Sequence, residues 1–407
     1  MNVFRLFVIT FLLLMYSFPM AMFSVTPSQV AIEPVIVGAD RVDLIKKLTQ
    51  NKRVGLIVNQ TSVLHNGVHL LDTLLKENVQ VIKVFAPEHG FRGTEEAGAA
   101  ISNATDSKTG IPVASLYGNS NKPTASQLAD IDMLIFDIQD VGTRFYTYIS
   151  TMHYAMEACA ENRKEFIVLD RPNPNDFIDG PVRKKGFVSF VSVDPIPVLH
   201  GLTTGELACM INGEGWITTG KNSCNLQVVT MENWAHGDPY HVPVKPSPNL
   251  PNNQAIRLYP SLCFFEGTNI SIGRGTTFPF QVLGNPDRKY GTFAFTPKPI
   301  QGMDSNPMHN GRSCYGVDLR DYTFEGGLSL RFVMDFYKKS GYNEKEFFVR
   351  ARWFDLLAGT DALRLQIING YSETEIRKTW ENELNEYRIM RKKYLLYKDY
   401  SNDETNR

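Results

Sequence analysis

The sequence lacks the motifs that commonly assign a cofactor or a familiar hydrolase chemistry. No GxGxxG follows its first predicted strand and no GxxxxGK[ST] is present, so the dinucleotide fingerprint and the usual P-loop are absent. It contains no GxSxG elbow of a serine hydrolase. His65 and His69 have the spacing of a helical metal pair but enclose no glutamate. We therefore expect no cofactor and no catalytic metal.

Excess charge and paired cysteines are also scarce. The formal net charge is −1, which argues against an electrostatic partner such as nucleic acid or an anionic membrane surface. The cysteines number 5 and include no CxxC pair, so a zinc ribbon or a thioredoxin-like site is not expected. A single disulfide stays open, but buried free thiols are the favoured interpretation.

The first 23 residues resemble a secretory signal peptide. A single early cation, Arg5, precedes a mostly apolar run over residues 6–18, which is short for a membrane span. The alternative is an N-terminal anchor that is not cleaved, whereas a lipoprotein anchor is not expected because no cysteine lies near the cleavage region. We predict a periplasmic or secreted protein, without a stable membrane anchor after signal cleavage.

The first half of the chain alternates short apolar runs with helical patterns. Such alternation indicates βαβ units, hence an α/β fold with a parallel sheet. Strands are predicted over residues 53–59, 79–86, 111–116, 133–138, 166–169 and 226–231, and helices over 40–49, 68–77, 144–162 and 203–213.

A cluster of breaker residues, KPSPNLPNN over residues 245–253, suggests a domain boundary. We predict a catalytic domain over residues 36–250 and a smaller α+β auxiliary domain over 255–405. In the latter, β-rich runs fall at 261–265, 281–283 and 292–295, and a helix is predicted near 328–338. A long C-terminal helix is predicted over 373–397, where Ser372 and Glu375 form a capping box.

Unusual residues follow the predicted strands, and Glu88 is the sharpest of them. In an open α/β sheet, ligands bind beyond the carboxyl ends of the strands. Glu88 follows one strand in FAPEHGFRG, between Pro87 and Gly90, a setting that holds a carboxyl in place. Glycoside cleavage needs a carboxylic acid that protonates the departing oxygen. Glu88 is therefore the candidate catalytic acid; the alternative is a loop glutamate that caps a helix or pairs with Arg92.

A second carboxylate is needed for this chemistry, and the sequence leaves two candidates. Asp140 lies between a buried strand and a predicted helix, where it suits a base or a ligand for sugar hydroxyls. Its alternative role is an acid stabilised by the helix dipole. Glu266 in FEGTN is the other candidate, and His89, beside Glu88, could tune the acid or contact a hydroxyl.

The remaining candidate residues would bind substrate. An arginine at the start of a helix suits the bidentate capture of a carboxylate, and an arginine between two glycines is a plausible ligand contact. Prolines on both sides of an asparagine stiffen a loop whose amide can contact a ligand. Structural alternatives stay open for each: ion pairs, turns, a satisfied core histidine or a solvated cation. The set consists of Arg92, Arg144, Tyr146, Arg171, Asn173, His200, Glu266 and Arg274.

Long motifs in the sequence resemble the NamZ-like exo-β-N-acetylmuramidases. They are FAPEHGFRG, FDIQDVGTRFYTYISTM, LDRPNPN, HGLTTGELA, PSPNLPN, FEGTNISIGRGT and the C-terminal stretch from GTDALRL to YLLY. The resemblance implies a Rossmann-like N-terminal domain, an auxiliary C-terminal domain and an active site between them. It also implies release of N-acetylmuramic acid from the non-reducing ends of peptidoglycan fragments, with the catalytic glutamate of the PEHG motif at Glu88.

N-acetylmuramic acid carries a lactyl carboxylate, so its pocket should offer a cation. Arg92, Arg144 and Arg274 are the candidates for that contact. Peptidoglycan-derived saccharides or muropeptides are the expected partners. The competing hypothesis is a non-catalytic muropeptide-binding protein; a cell-wall amidase or esterase would need a metal or nucleophile that the motifs do not supply.

Overall fold

The computed structural model describes residues 33–88, 90–91, 104–116, 118, 121–217, 223–324 and 326–400. Its strands are β1 Val54–Val58, β2 Val81–Ala86, β3 Ala104–Thr105, β4 Pro112–Ser115, β5 Met133–Asp137, β6 Glu165–Leu169, β7 Ile178–Asp179, β8 Leu199–His200, β9 Asn225–Val229, β10 Val282–Asn285, β11 Phe293–Phe295 and β12 Cys314–Asp318. Its α-helices are α1 Val42–Thr49, α2 Leu70–Lys76, α3 Ala125–Leu128, α4 Tyr148–Glu161, α5 Thr204–Gly213, α6 Asn253–Leu262, α7 Arg331–Lys339, α8 Glu344–Phe347, α9 Ala351–Ala358, α10 Ala362–Ile368, α11 Glu373–Lys378 and α12 Glu381–Arg391.

A sheet of parallel strands forms the centre of the N-terminal half. Its strand order is β3-β4-β2-β1-β5-β6-β9, and every neighbouring pair is parallel except β3 with β4 at the edge. The predicted α/β class with a Rossmann-like parallel sheet is therefore confirmed. All residues of β1 and β5 are buried, as expected for a sheet covered on both faces.

Alternating side chains of the strands feed two separate apolar layers. Leu56 and Val58 of β1 pack in a cluster with α1 and α2, whereas Ile57 packs in a cluster with α4 and α5. This division follows from the two-residue period of a strand, which sends neighbouring side chains to opposite faces. Helices consequently cover both faces of the sheet.

The order of the strands reverses between β1 and β5. From β1 the chain builds outward through β2 to β4 on one side, then returns to place β5, β6 and β9 on the other. In open α/β sheets such a reversal opens a crevice at the carboxyl ends of the strands, where ligands bind. Glu88 follows β2 and Asp140 follows β5, so both lie on loops that flank β1 at this edge.

The C-terminal region combines a small antiparallel sheet with helices. Its strands pair in the order β10-β12-β11. Buried residues of α6, α7 and α9 belong to the same apolar cluster as α4 and α5 of the N-terminal half. The chain after α12 returns to the N-terminal half, where the Tyr397 hydroxyl donates to Asp170 at 2.6 Å.

Two predicted elements of the C-terminal region are wrong. Residues 261–265 are not a strand, because they end α6 and continue into a 3₁₀ turn, Cys263–Gly267. A short apolar run does not distinguish a strand from a buried helix. The long helix over 373–397 is broken: α11 ends at Lys378, and the backbone of Trp380 leaves the helical region before α12 begins.

The predicted helix over residues 144–162 begins later than expected. Residues 144–147 form a turn, and α4 starts at Tyr148. This turn allows the side chains of both Tyr146 and Tyr148 to be buried, which their spacing on one helix would oppose.

No helix in the described ranges has the length and apolar character needed to span a bilayer. The five cysteines are unpaired, and Cys209 alone among them is not buried.

A buried ion pair joins the ends of β5 and β6. The Arg171 guanidinium donates to both carboxylate oxygens of Asp137, at 2.6 and 3.0 Å, and to the carbonyl of Val63. Both side chains are almost inaccessible, with exposed fractions of 2% and 0%. Removing one partner of such a pair leaves an uncompensated charge in the interior.

We predict that Arg171→Met lowers the free energy of unfolding by about 3–5 kcal/mol, because the Asp137 carboxylate then stays buried without its partner. The measurement is urea unfolding followed by tryptophan fluorescence. Lys52→Met, which removes the partner of Glu165 in a partly exposed pair, is the matched control. It should cost about 1 kcal/mol or less. Equal losses in the two variants would contradict this account of Arg171.

Candidate functional site

A cavity of about 470 Å³ lies where the N-terminal sheet meets the C-terminal region. Its volume falls within the range of about 300–1,000 Å³ that is usual for small-molecule sites. Residues that follow β2 and precede α4 line one side, and residues of the 3₁₀ turn, the following loop and α9 line the other. The predicted site residues found in its lining are Glu88, Tyr146, Glu266 and Arg274.

Glu88 is held at the edge of this cavity by the start of α4. The amide of Gly90 donates to the carbonyl of Pro87 at 2.9 Å, and Gly90 has a φ of 75°, so a tight turn carries Glu88. Glycine suits this turn because side chains rarely tolerate a positive φ. The Thr147 hydroxyl donates to the Glu88 carboxylate at 2.6 Å, and the Tyr148 hydroxyl makes a long contact of 3.4 Å to the Glu88 carbonyl.

Aromatic side chains form a continuous wall of the cavity. Tyr146 packs edge-on against Tyr148 and Tyr259, with ring centroids 5.0 and 5.9 Å apart, and Tyr259 packs against Phe280 at 4.9 Å. The Tyr146 hydroxyl donates to the carbonyl of Pro246 at 2.8 Å, which fixes its ring. Burial raises the pKa of Tyr146 well above its ordinary value. Tyr146 therefore stays neutral, and the four rings give the cavity that Glu88 borders an aromatic lining.

A second carboxylate, Glu266, faces the same cavity and is held by donors from two elements. The Arg274 guanidinium donates to one of its oxygens at 2.7 Å, and the indole N–H of Trp353 donates to the other at 3.3 Å. Burial opposes the charge of Arg274, but the Glu266 carboxylate raises the pKa of that guanidinium above its ordinary value. Arg274 also lies over the Phe280 ring, 5.3 Å from its centroid. The pair presents a carboxylate and a cation side by side.

Asp140 lies outside the lining of this cavity, although it follows β5 at the same edge of the sheet. The amide of Gly142 donates to one of its carboxylate oxygens at 2.6 Å, and the other oxygen is buried with no hydrogen-bond partner among the described residues. Burial raises the pKa of Asp140 to about 7, against the hydrogen bond from Gly142 that lowers it. Titration near neutrality is a property of acid–base residues, but the position gives this carboxyl no direct access to the cavity.

Arg144 is buried away from the cavity, with an exposed fraction of 1%. Its guanidinium donates to the carbonyls of Pro181, Ile196 and Leu357 at 2.7–2.9 Å. Burial lowers its pKa to about 9. These bonds connect the turn before α4 to segments that precede β8 and end α9, so the arginine fixes the turn that carries Tyr146.

Three other candidates also occupy buried positions outside this lining. Arg171 pairs with Asp137, as described above. The Asn173 amide donates to the Leu202 carbonyl at 3.0 Å, and this residue lines a separate cavity of about 140 Å³. The His200 ring accepts from the Leu202 amide at 3.3 Å, and burial lowers its pKa to about 4, so it is neutral.

His89 and Arg92 lie outside the described residues, so their predicted roles stay predictions. The cavity also contains residues that the sequence did not single out, among them Thr147, Arg350 and Trp353. Thr147 had a signal, because it lies between two site tyrosines in TRFYTYIS. No sequence pattern pointed to Arg350 and Trp353. They lie at the start of α9, about two hundred residues after Thr147, and only the fold brings them to the cavity.

Comparisons with known proteins agree in pointing to one family. Residues 54–254 match the model described as "Exo-beta-N-acetylmuramidase NamZ, N-terminal", and residues 257–397 match "Exo-beta-N-acetylmuramidase NamZ, C-terminal". The chain is 41% identical over 384 residues to the peptidoglycan beta-N-acetylmuramidase NamZ of Bacillus subtilis (strain 168), covering 86% of this chain and 88% of that protein.

Solved structures of two DUF1343 family proteins from Bacteroides fragilis NCTC 9343 are similar over most of their length. One is 43% identical with a TM-score of 0.83, covering 90% of this chain and 100% of that chain. The other is 33% identical with a TM-score of 0.77, covering 89% and 99%.

We predict that the contribution of Asp140 to the stability of the protein falls as the pH rises from about 4 to 7. Its pKa is about 7 in the folded protein, whereas an unfolded aspartate has a pKa of about 3.9. In this window the folded state binds more protons than the unfolded state, so the free energy of unfolding decreases with pH, by at most about 1.4 kcal/mol per pH unit for this group.

Urea unfolding of Asp140→Asn between pH 4 and 7 tests this expectation, because the variant should have a less negative slope than the parent protein. Asp43→Asn on exposed α1 is the matched control and should keep the parent slope. Identical slopes for all three proteins would show that Asp140 does not titrate as described.

Proposed function

Because the chain belongs to the NamZ family of exo-β-N-acetylmuramidases and is thus a glycoside hydrolase, we propose that it releases N-acetylmuramic acid from the non-reducing ends of peptidoglycan fragments, with Glu88 as the general acid. The observation that carries this proposal is the position of Glu88, a half-buried carboxyl on the edge of a cavity walled by aromatic rings. Aromatic faces pack against the apolar faces of sugar rings, and the acid beside them would reach the glycosidic oxygen.

The two carboxylates of the cavity differ in their surroundings, and this difference supports separate roles. Glu266 accepts one hydrogen bond from the Arg274 guanidinium and one from the indole N–H of Trp353. A carboxylate held in this way suits the stabilisation of positive charge on the sugar ring, or the binding of hydroxyl groups, better than proton donation. Glu88 accepts from the Thr147 hydroxyl and lies at the edge of the cavity. We assign proton donation to Glu88, and the stabilisation of charge or the binding of hydroxyl groups to Glu266.

Arg274 is the arginine that we propose for the lactyl carboxylate of the substrate. It borders the cavity, whereas the Arg144 guanidinium is committed to carbonyl groups in the interior. Its forked guanidinium contacts Glu266 through one nitrogen, Nη2, which leaves further N–H groups for a second carboxylate. Recognition of the lactyl group would separate N-acetylmuramic acid from N-acetylglucosamine, which lacks it.

The sequence of residues 1–23 supports the further proposal that the protein is exported. An enzyme that acts on peptidoglycan meets its substrate outside the cytoplasmic membrane. We therefore propose a periplasmic or secreted location, with the signal peptide removed and saccharides or muropeptides from the cell wall as partners.

We predict that Glu88→Gln lowers kcat on a chromogenic β-N-acetylmuraminide by about 10²–10⁴-fold, because the amide cannot donate the proton that the leaving oxygen needs. Binding of N-acetylmuramic acid, measured by calorimetry, should persist because the amide is nearly isosteric. Glu161→Gln, in a partly exposed ion pair at the end of α4, is the control and should keep full activity. Activity that survives in Glu88→Gln would remove the general acid from the proposal.

We predict that Arg274→Lys lowers the preference for β-N-acetylmuraminide over β-N-acetylglucosaminide by about tenfold or more, because the lysine keeps the charge but loses the forked contact. The measurement is the ratio of kcat/KM for the two chromogenic substrates. Arg320→Lys, in an exposed pair with Asp318, is the control and should leave the ratio unchanged. An unchanged ratio in Arg274→Lys would place lactyl recognition on another residue.

A further inference from the structure

We infer that Thr147 is a positioning residue that orients the Glu88 carboxyl and commits one of its two oxygens to accepting a hydrogen bond. The inference rests on the proposed role of Glu88 as the general acid. It concerns a residue that does not itself react with the sugar but sets the orientation of the acid.

The contact between the two side chains is short and has a defined direction. The Thr147 hydroxyl oxygen lies 2.6 Å from Oε2 of Glu88. This distance is typical of a hydroxyl that donates to a carboxylate oxygen. A hydroxyl has a single proton, and with that proton directed at Oε2 this oxygen serves as an acceptor.

The backbone of Thr147 differs from that of the other threonine and serine residues that precede helices. Thr124, Thr203 and Ser372 stand directly before α3, α5 and α11 with extended backbones, and each makes a capping box. Thr147 stands directly before α4 with φ −75° and ψ −5°, and its side chain makes no capping hydrogen bond. Of the four such residues in the described part of the chain, Thr147 alone turns its hydroxyl away from its own helix.

This difference has an energetic meaning. A threonine side chain that caps a helix typically stabilises the protein. Thr147 forgoes that contact at the start of the 14-residue helix α4 and directs its hydroxyl to the candidate acid. The next residue, Tyr148, reaches the Glu88 carbonyl, so adjacent residues contact the side chain and the backbone of the same glutamate. The start of α4 therefore fixes Glu88 in two places.

Removing the hydroxyl has consequences that a loss of stability alone does not produce. Without the hydrogen bond, the carboxyl gains freedom to rotate, which lowers kcat while leaving KM nearly unchanged.

The test compares Thr147→Val, which has a similar shape without the hydroxyl, with Thr147→Ser, which keeps it. We expect Thr147→Val to lower kcat on the chromogenic β-N-acetylmuraminide by about tenfold or more and to leave KM nearly unchanged. Thr147→Ser should restore kcat to within a few-fold of the parent. Glu266, Arg274, Arg350 and Tyr148 also line the cavity. They are the same in each protein, so the comparison isolates the hydroxyl.

Thr124→Val, which removes a true helix cap on the surface, is the matched control for stability. It should lower the melting temperature without lowering kcat. Thr147→Ala provides a second variant without the hydroxyl, in case the valine is poorly tolerated. If Glu88→Gln is inactive but both hydroxyl-free variants keep the parent kcat, the inference about Thr147 is overturned while the general acid stands. If Glu88→Gln is active, the proposed function itself fails.

Discussion

The hydrogen bond between Thr147 and Glu88 joins the two loops on which the proposed chemistry depends. One loop leaves β2 and the other connects β5 to α4, and the two strands are the neighbours of β1 on its opposite sides. The sheet reverses its order at this point, so the loops diverge and leave a hollow between them. Together with the contact of Tyr148 to the Glu88 carbonyl, the Thr147 hydrogen bond gives the acid and the aromatic wall one shared support.

The buried polar groups beneath the hollow stabilise this support. Arg144 ties the turn before α4 to three carbonyls, and Arg171 connects the ends of β5 and β6 through Asp137. Gly142 has a φ of 76°, and a Cβ added there would lie 1.9 Å from Oδ1 of Asn173, so only glycine allows these loops to approach each other. Polar residues at this edge thus divide into a few that face the cavity and a larger number that hold the loops in place, as a precise site requires.

The sequence predicted the parallel sheet and the edge of the sheet where the site lies, because both follow from short-range patterns. Each of these patterns spans only a few residues of sequence: the two-residue period of the strands, the proline and glycine around Glu88, and the glycines on both sides of Arg274. The sequence could not separate Arg274 from Arg144, since an arginine beside a helix start is equally suited to a ligand or to carbonyl groups. Only the three-dimensional packing shows that the guanidinium of Arg144 is enclosed. Trp353 and Arg350 could not be foreseen, because α9 reaches the cavity through contacts between residues distant in sequence.

A crystal structure with N-acetylmuramic acid bound would test the central claim most directly. The account predicts that the sugar ring lies against the aromatic wall of the cavity, with its anomeric oxygen within hydrogen-bonding reach of the Glu88 carboxyl and its lactyl carboxylate against Arg274. A sugar bound outside this cavity, or one whose anomeric carbon faces away from Glu88, would contradict it.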